Sequence, residues 1–104
     1  MEPAPVDPTD ESPQVRDNPA RHRFEILLGD QVAGYLTYVE RDGRLVFEHT
    51  VIADELEGRG LGSALARSVL DDMRAQGRRV EVECPFLIEW IRRHPEYGDL
   101  VAAS

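Results

Sequence analysis

Between a stretch that reads as a strand and one that reads as an amphipathic helix stands Glu57-Gly58-Arg59-Gly60-Leu61-Gly62-Ser63. Glycines on three alternate positions exceed what a helix cap or a plain turn needs. They let backbone N–H groups approach an anion closely, and the N-terminus of the helix adds its partial positive charge, so a phosphate or diphosphate is the natural ligand. Two familiar phosphate motifs fit badly. The dinucleotide fingerprint needs a third glycine three residues after its second, where Ser63 stands. A P-loop needs Gly-Lys-Ser/Thr, and this chain contains no lysine. Arg59 is the side chain expected to contact the phosphate, with Arg67 a weaker choice. Cys84 precedes Pro85, a residue suited to the first turn of a helix, and so falls at a cap position where a helix dipole favours a thiolate. The competing reading of a lone cysteine is a small buried hydrophobe. The ordinary pKa of an imidazole suits a base at neutral pH, which makes His49 a candidate. Strand alternation puts it on the face of Phe47 and Val51, where the competing reading is a hydrogen-bonded histidine in the sheet.

The surrounding pattern must position these groups. Phe24, Ile26 and Leu28 alternate in a strand, Gly29-Asp30 turns into Gln31 to Val39, and Asp42-Gly43 is a second hairpin signal leading into Arg44 to Ile52. Gly34 inside the second of these strands marks a bulge or a close backbone approach. The period then changes: Leu61, Ala64, Leu65, Ser68, Val69, Asp72 and Met73 fall on one helical stripe that Gly77 ends. Arg79 to Glu83 alternates as a short strand, parallel to the third through a right-handed crossover. Phe86 to Arg93 forms a second helix that His94-Pro95 ends, which gives His94 a capping or packing role. The order is βββαβα. Tyr35, Tyr38, Trp90 and Tyr97 read as packing residues, and Glu48, Glu81 and Glu83 either draw in a cationic group or form a solvated face.

Composition narrows the classes. The chain has 104 residues, 41% of them apolar, with 20 acidic and 12 basic side chains and a formal charge of -8, which supports one small domain with a modest core. General nucleic-acid binding is disfavoured by that charge. Apolar runs such as Ile26-Leu27-Leu28 fall far short of the roughly 20 residues that span a bilayer, so no membrane partner is expected. No basic start followed by an apolar stretch is visible in residues 1 to 20, and the chain is expected to stay in the cytoplasm. One cysteine forbids an internal disulfide, and three scattered histidines spell out no Cys/His metal site. Five prolines and few large apolar side chains mark residues 1 to 20 as a disordered acidic tail, leaving residues 21 to 104 as the working domain.

The glycine segment resembles the acyl-CoA diphosphate loop of the GCN5-related N-acetyltransferases, whose pattern is Gln/Arg, Gly/Arg, any residue, Gly, any residue, Gly/Ala. Gly58, Arg59, Gly60, Leu61 and Gly62 match five consecutive positions, and Glu57 departs from the pattern. His49-Thr50, Cys84-Pro85-Phe86 and His94-Pro95-Glu96-Tyr97 look like the short single-domain subfamily, and the likeness runs over roughly residues 22 to 100. It implies an α+β fold, a mainly antiparallel twisted sheet flanked by two helices. It implies acetyl-CoA as cofactor, held by Gly58 to Ser63 and by the main chain of Val51, Ile52 and Ala53, with pantetheine lying between two splayed strands. Acetyl transfer to an amine needs a path for the amine proton and an acid for the departing thiolate, roles that fall to His49 and Cys84; Cys84 could instead act as nucleophile. The acceptor is a small-molecule or peptide amine of unspecified identity. Two other readings stand beside transfer: an acyl-CoA-binding or regulatory protein without efficient turnover, and an interaction module whose glycine loop is only a turn.

Overall fold

The computed structural model describes residues 12 to 102. In chain order they form β1 (Gln14–Asn18), β2 (Arg23–Leu28), β3 (Gln31–Arg41), β4 (Arg44–Ile52), α1 (Leu61–Ala75), β5 (Glu81–Val82) and α2 (Pro85–Arg93). Short 3-10 turns occupy Pro19–Arg21, Asp54–Leu56 and Pro95–Leu100. The strands lie side by side in chain order, each of the first four antiparallel to its neighbour and β5 parallel to β4. The α+β class and the mainly antiparallel sheet are those expected, with one strand added at the N-terminal edge.

That strand corrects the expected tail. Residues 1–11 of the tail lie outside the described residues, but Gln14–Asn18 pairs with β2 along its whole length. Its own side chains are mostly polar and exposed, and Val15 is its one apolar side chain packed against the core. The strand is held by polar partners: Arg16 Nε and Asn18 Nδ2 donate to the Glu25 carboxylate at 2.9 and 3.1 Å, and Tyr38 donates to Asp17 at 2.6 Å.

The meander follows its turn chemistry. Asp42 and Gly43 both adopt positive φ, 55° and 77°, as a two-residue hairpin turn demands. At Gly34 a Cβ would lie 2.5 Å from the Val51 carbonyl oxygen and from Ile52 Cδ1, so only glycine lets β3 and β4 come this close. Two bulges interrupt the ladders. Ala33 is the extra residue between β2 and β3, and Glu48 is the extra residue between β3 and β4.

α1 buries Leu61, Leu65, Ala66, Val69, Leu70 and Met73. They join Phe24, Ile26, Leu36, Tyr38 and Phe47 of the sheet in one core cluster. The expected stripe included Ser68 and Asp72, which are exposed, and omitted Ala66 and Leu70. The buried arc is turned because α1 packs on the sheet and also on α2 and the Pro95–Leu100 turn. β5 is shorter than expected. The N–H groups of Glu83 and Cys84 both converge on the Phe47 carbonyl, at 2.8 and 3.2 Å, so the chain stops advancing along β4 and enters α2. Val80 pairs instead with the C-terminal segment, through Val80 N–H to Leu100 and Ala102 N–H to Val80.

Candidate active site

Parallel pairing between β4 and β5 is confined to Val46–Glu81 and Phe47–Val82. Beyond Phe47, β4 runs on to Ile52 with no strand partner on that side among the described residues, and the two chains splay. The opening holds a cavity of about 430 Å³, within the range of small-molecule sites. Thr50 and Ile52 line it from β4, and Phe86 and Trp90 from α2. Its remaining wall is the glycine loop and the first turn of α1, with Gly58, Gly60, Gly62 and Ser63 in contact with the space.

Strand geometry decides which main-chain groups face the opening. Ala53 N–H donates to Ala33 of β3 at 2.9 Å. Because successive residues of a strand turn their N–H and C=O to opposite sides, Val51 and Ala53 address β3 while Thr50 and Ile52 address the gap. Of the three main-chain contacts expected, Ile52 is therefore well placed, Val51 and Ala53 are engaged by the sheet, and Thr50 takes a place the sequence reading did not give it.

The loop presents an anion cradle. Gly58 and Gly60 adopt φ of 85° and 76°, left-handed values that only glycine takes up freely. Gly60 caps α1 without offering a side chain, and Ala64 is the first residue whose N–H finds a helical carbonyl, that of Gly60 at 3.0 Å. The N–H groups of Leu61, Gly62 and Ser63 thereby have no helical carbonyl to bond among the described residues. At Gly62 a Cβ would stand 3.0 Å from Phe86 Cζ, so the missing side chain keeps the loop and α2 close. Arg59 is exposed and has no ion pair among the described residues. Arg67 is turned away from the cavity and donates to the Tyr97 hydroxyl at 3.2 Å. Glu57 is exposed at the cavity rim, where its carboxylate can remain in solvent.

Cys84 caps α2 as expected and is 2% exposed. Its sulfur lies 3.2 Å from the Thr50 hydroxyl, so the buried thiol is joined to a residue that lines the cavity. His49 is not brought to this pair. The bulge at Glu48 shifts every later residue of β4 to the other face, so His49 stands opposite Thr37, on the side away from Phe47 and Thr50. Its backbone N–H donates to Thr37 Oγ1 at 3.1 Å, and its side chain is exposed. Thr50 moves onto the Phe47 side through the same shift. Simple alternation hid it; a bulge signal at Glu48 would have revealed it.

The carboxylates proposed to draw in a cation behave as a solvated face. Glu83 pairs with Arg41 at 3.3 Å and Glu81 with Arg44 at 3.9 Å. Trp90, Tyr38 and Tyr97 are buried. The Tyr97 hydroxyl donates to Asp71 at 2.7 Å, and that bond, with burial, pushes its pKa up. His94 closes α2 and stacks on Trp90 with ring centres 3.9 Å apart. Among the described residues no group of three or more His, Cys, Asp or Glu is placed to hold a metal ion, and no helix is long and apolar enough to cross a membrane.

The sequence profile of the GCN5-related N-acetyl-transferases matches residues 23–100. No curated protein sequence matches the chain. Among solved structures, the solution structure of a GCN5-like protein from Staphylococcus aureus superimposes with a TM-score of 0.66 at 22% identity. The match covers 88% of this chain and 89% of that one, a likeness of fold.

Proposed function

The chain belongs to the GCN5-related N-acetyltransferases, an acyltransferase family, and from that premise we propose that it moves an acetyl group from acetyl-CoA to an amine in the cytoplasm. The observation that carries this reading is the cavity between splayed β4 and β5, ending at three open N–H groups on the first turn of α1. The residues present fit the cofactor. The glycine cradle suits its diphosphate, Arg59 can reach a phosphate from solvent, and Thr50 and Ile52 offer main-chain groups to an extended pantetheine arm. When bound, acetyl-CoA supplies an activated acetyl thioester.

The chain's own groups then handle protons. The Cys84 thiol would supply the proton for the departing thiolate through the cavity-lining Thr50 hydroxyl, 3.2 Å away, and would regain one from water after each turnover. The amine proton leaves through water on the open side of the gap. His49 stands on the other face of the sheet and has no direct part in this pair.

Thiol release from acetyl-CoA, followed across a panel of primary amines and peptide N-termini, tests the proposal. Turnover with at least one acceptor is expected, falling by roughly a hundredfold in Cys84→Ala and by less than about threefold in His49→Ala. Full turnover in Cys84→Ala would remove the thiol from the chemistry. Tight acetyl-CoA binding with no acceptor turned over would replace transfer by an acyl-CoA-binding role.

A further inference from the structure

We infer that Trp90 is a positioning residue for the cofactor loop: its indole N–H fixes the Ser63 hydroxyl so that this hydroxyl donates to the bound diphosphate. The inference rests on the acetyl-CoA reading given above. Trp90 Nε1 lies 2.8 Å from Ser63 Oγ. An indole nitrogen can only donate, so the serine oxygen must accept and its proton must point away from Trp90. Among the described residues no acceptor takes that proton. Ser63 is the third residue of α1 and lines the cavity beside the open N–H groups of Leu61 and Gly62. The hydroxyl is therefore a fourth donor at the anion cradle, oriented from behind.

Trp90 is itself held. It is 6% exposed, and the His94 ring stacks on it at 3.9 Å with only 15° between the planes. His94 Nδ1 donates to the Trp90 carbonyl at 2.7 Å, Tyr97 packs against the indole at 5.2 Å, and the Arg67 guanidinium lies 5.5 Å from the ring. The His94-to-Tyr97 segment, which the chemistry does not use directly, thus acts as a brace behind the residue that orients Ser63. A phenylalanine at position 90 would keep the packing and remove the donor.

The test measures CoA dissociation constants by calorimetry, together with the indole N–H signal, unique because the chain has one tryptophan. Ser63→Ala is expected to weaken CoA roughly tenfold, as loss of a hydrogen bond to a charged group does. Trp90→Phe is expected to weaken it severalfold, and adding Trp90→Phe to Ser63→Ala brings no further loss. Ser63→Thr, which keeps the hydroxyl, restores most of the affinity. The indole signal should move when native protein binds CoA and should move in free Ser63→Ala. Equal losses from Trp90→Phe in the native and Ser63→Ala backgrounds would mean a merely structural role and overturn the inference. If Trp90→Phe does not fold, the indole signal decides, and a signal unmoved by Ser63→Ala overturns it. A native protein that binds no CoA overturns the proposed function and this inference with it; one that binds CoA equally well as Ser63→Ala overturns this inference alone.

Discussion

Cys84 and Thr50 form the pair on which the proposed chemistry turns. Replacing Thr50 by valine keeps its shape and removes the hydroxyl beside the sulfur. Turnover should fall about tenfold while the thermal midpoint drops by only about 4–8 °C, since one part-buried hydrogen bond contributes about 1 kcal/mol. Steady-state kinetics paired with a thermal melt checks both halves, and unchanged turnover would show that Thr50 is a packing partner only. The cap position of Cys84 was legible because Pro85 fixes where α2 begins. The partner of Cys84 was not. A bulge at Glu48 exchanges the faces of His49 and Thr50, and a single inserted residue leaves no mark in a pattern of alternation.

Among the elements, β1 shows how a strand can be invisible in its own residues. Gln14 to Asn18 carries charges and amides where a strand usually carries β-branched side chains. Its partners lie elsewhere in the chain, chiefly Glu25, which is 1% exposed and receives Arg16, Arg23 and Asn18. Burial pushes the Glu25 pKa up, but the hydrogen bonds from Arg23, Arg16 and Asn18 and the Arg23 charge outweigh it and hold it below the ordinary value. A lowered folded pKa means that this stabilisation is complete above the unfolded value and is lost as pH falls through the folded one. Glu25→Gln should therefore cost about 2 kcal/mol at neutral pH by urea unfolding, with the cost shrinking in acid. Amide exchange in β1 should speed up more than in β4, and uniform exchange would contradict the clamp. Tyr38 gives the alkaline counterpart. Burial, and then its hydrogen bond to Asp17, raises its pKa to about 12, so its contribution holds below pH about 10 and is lost between there and about 12. Tyr38→Phe should flatten the alkaline limb of the stability profile.

On the scale of the whole molecule, the order of hairpins, helix, strand and helix was legible because each boundary carries a local signal, such as Asp42-Gly43, Gly77 or Pro85. The edge strand and the pairing of Val80 with Val101 were not, because both depend on residues distant in sequence. Charge also reads differently once placed. Residues 1–11 hold four acidic and no basic side chains, so of 20 acidic and 12 basic in the chain, 16 and 12 belong to the rest, a net charge of -4. In the proposed reading, backbone donors more than a basic surface hold the anionic cofactor. CoA binding should couple to stability by mass action: at a hundredfold excess over its dissociation constant it adds about 2.7 kcal/mol, a rise of roughly 10 °C or more in the midpoint for a domain this small. The most direct test of the central claim is a titration of isotopically labelled protein with acetyl-CoA, followed at the backbone amides. Shifts concentrated in Gly58 to Ser63, with Thr50 and Ile52 moving in step, are the predicted result; amides of that loop unmoved up to millimolar acetyl-CoA would contradict it.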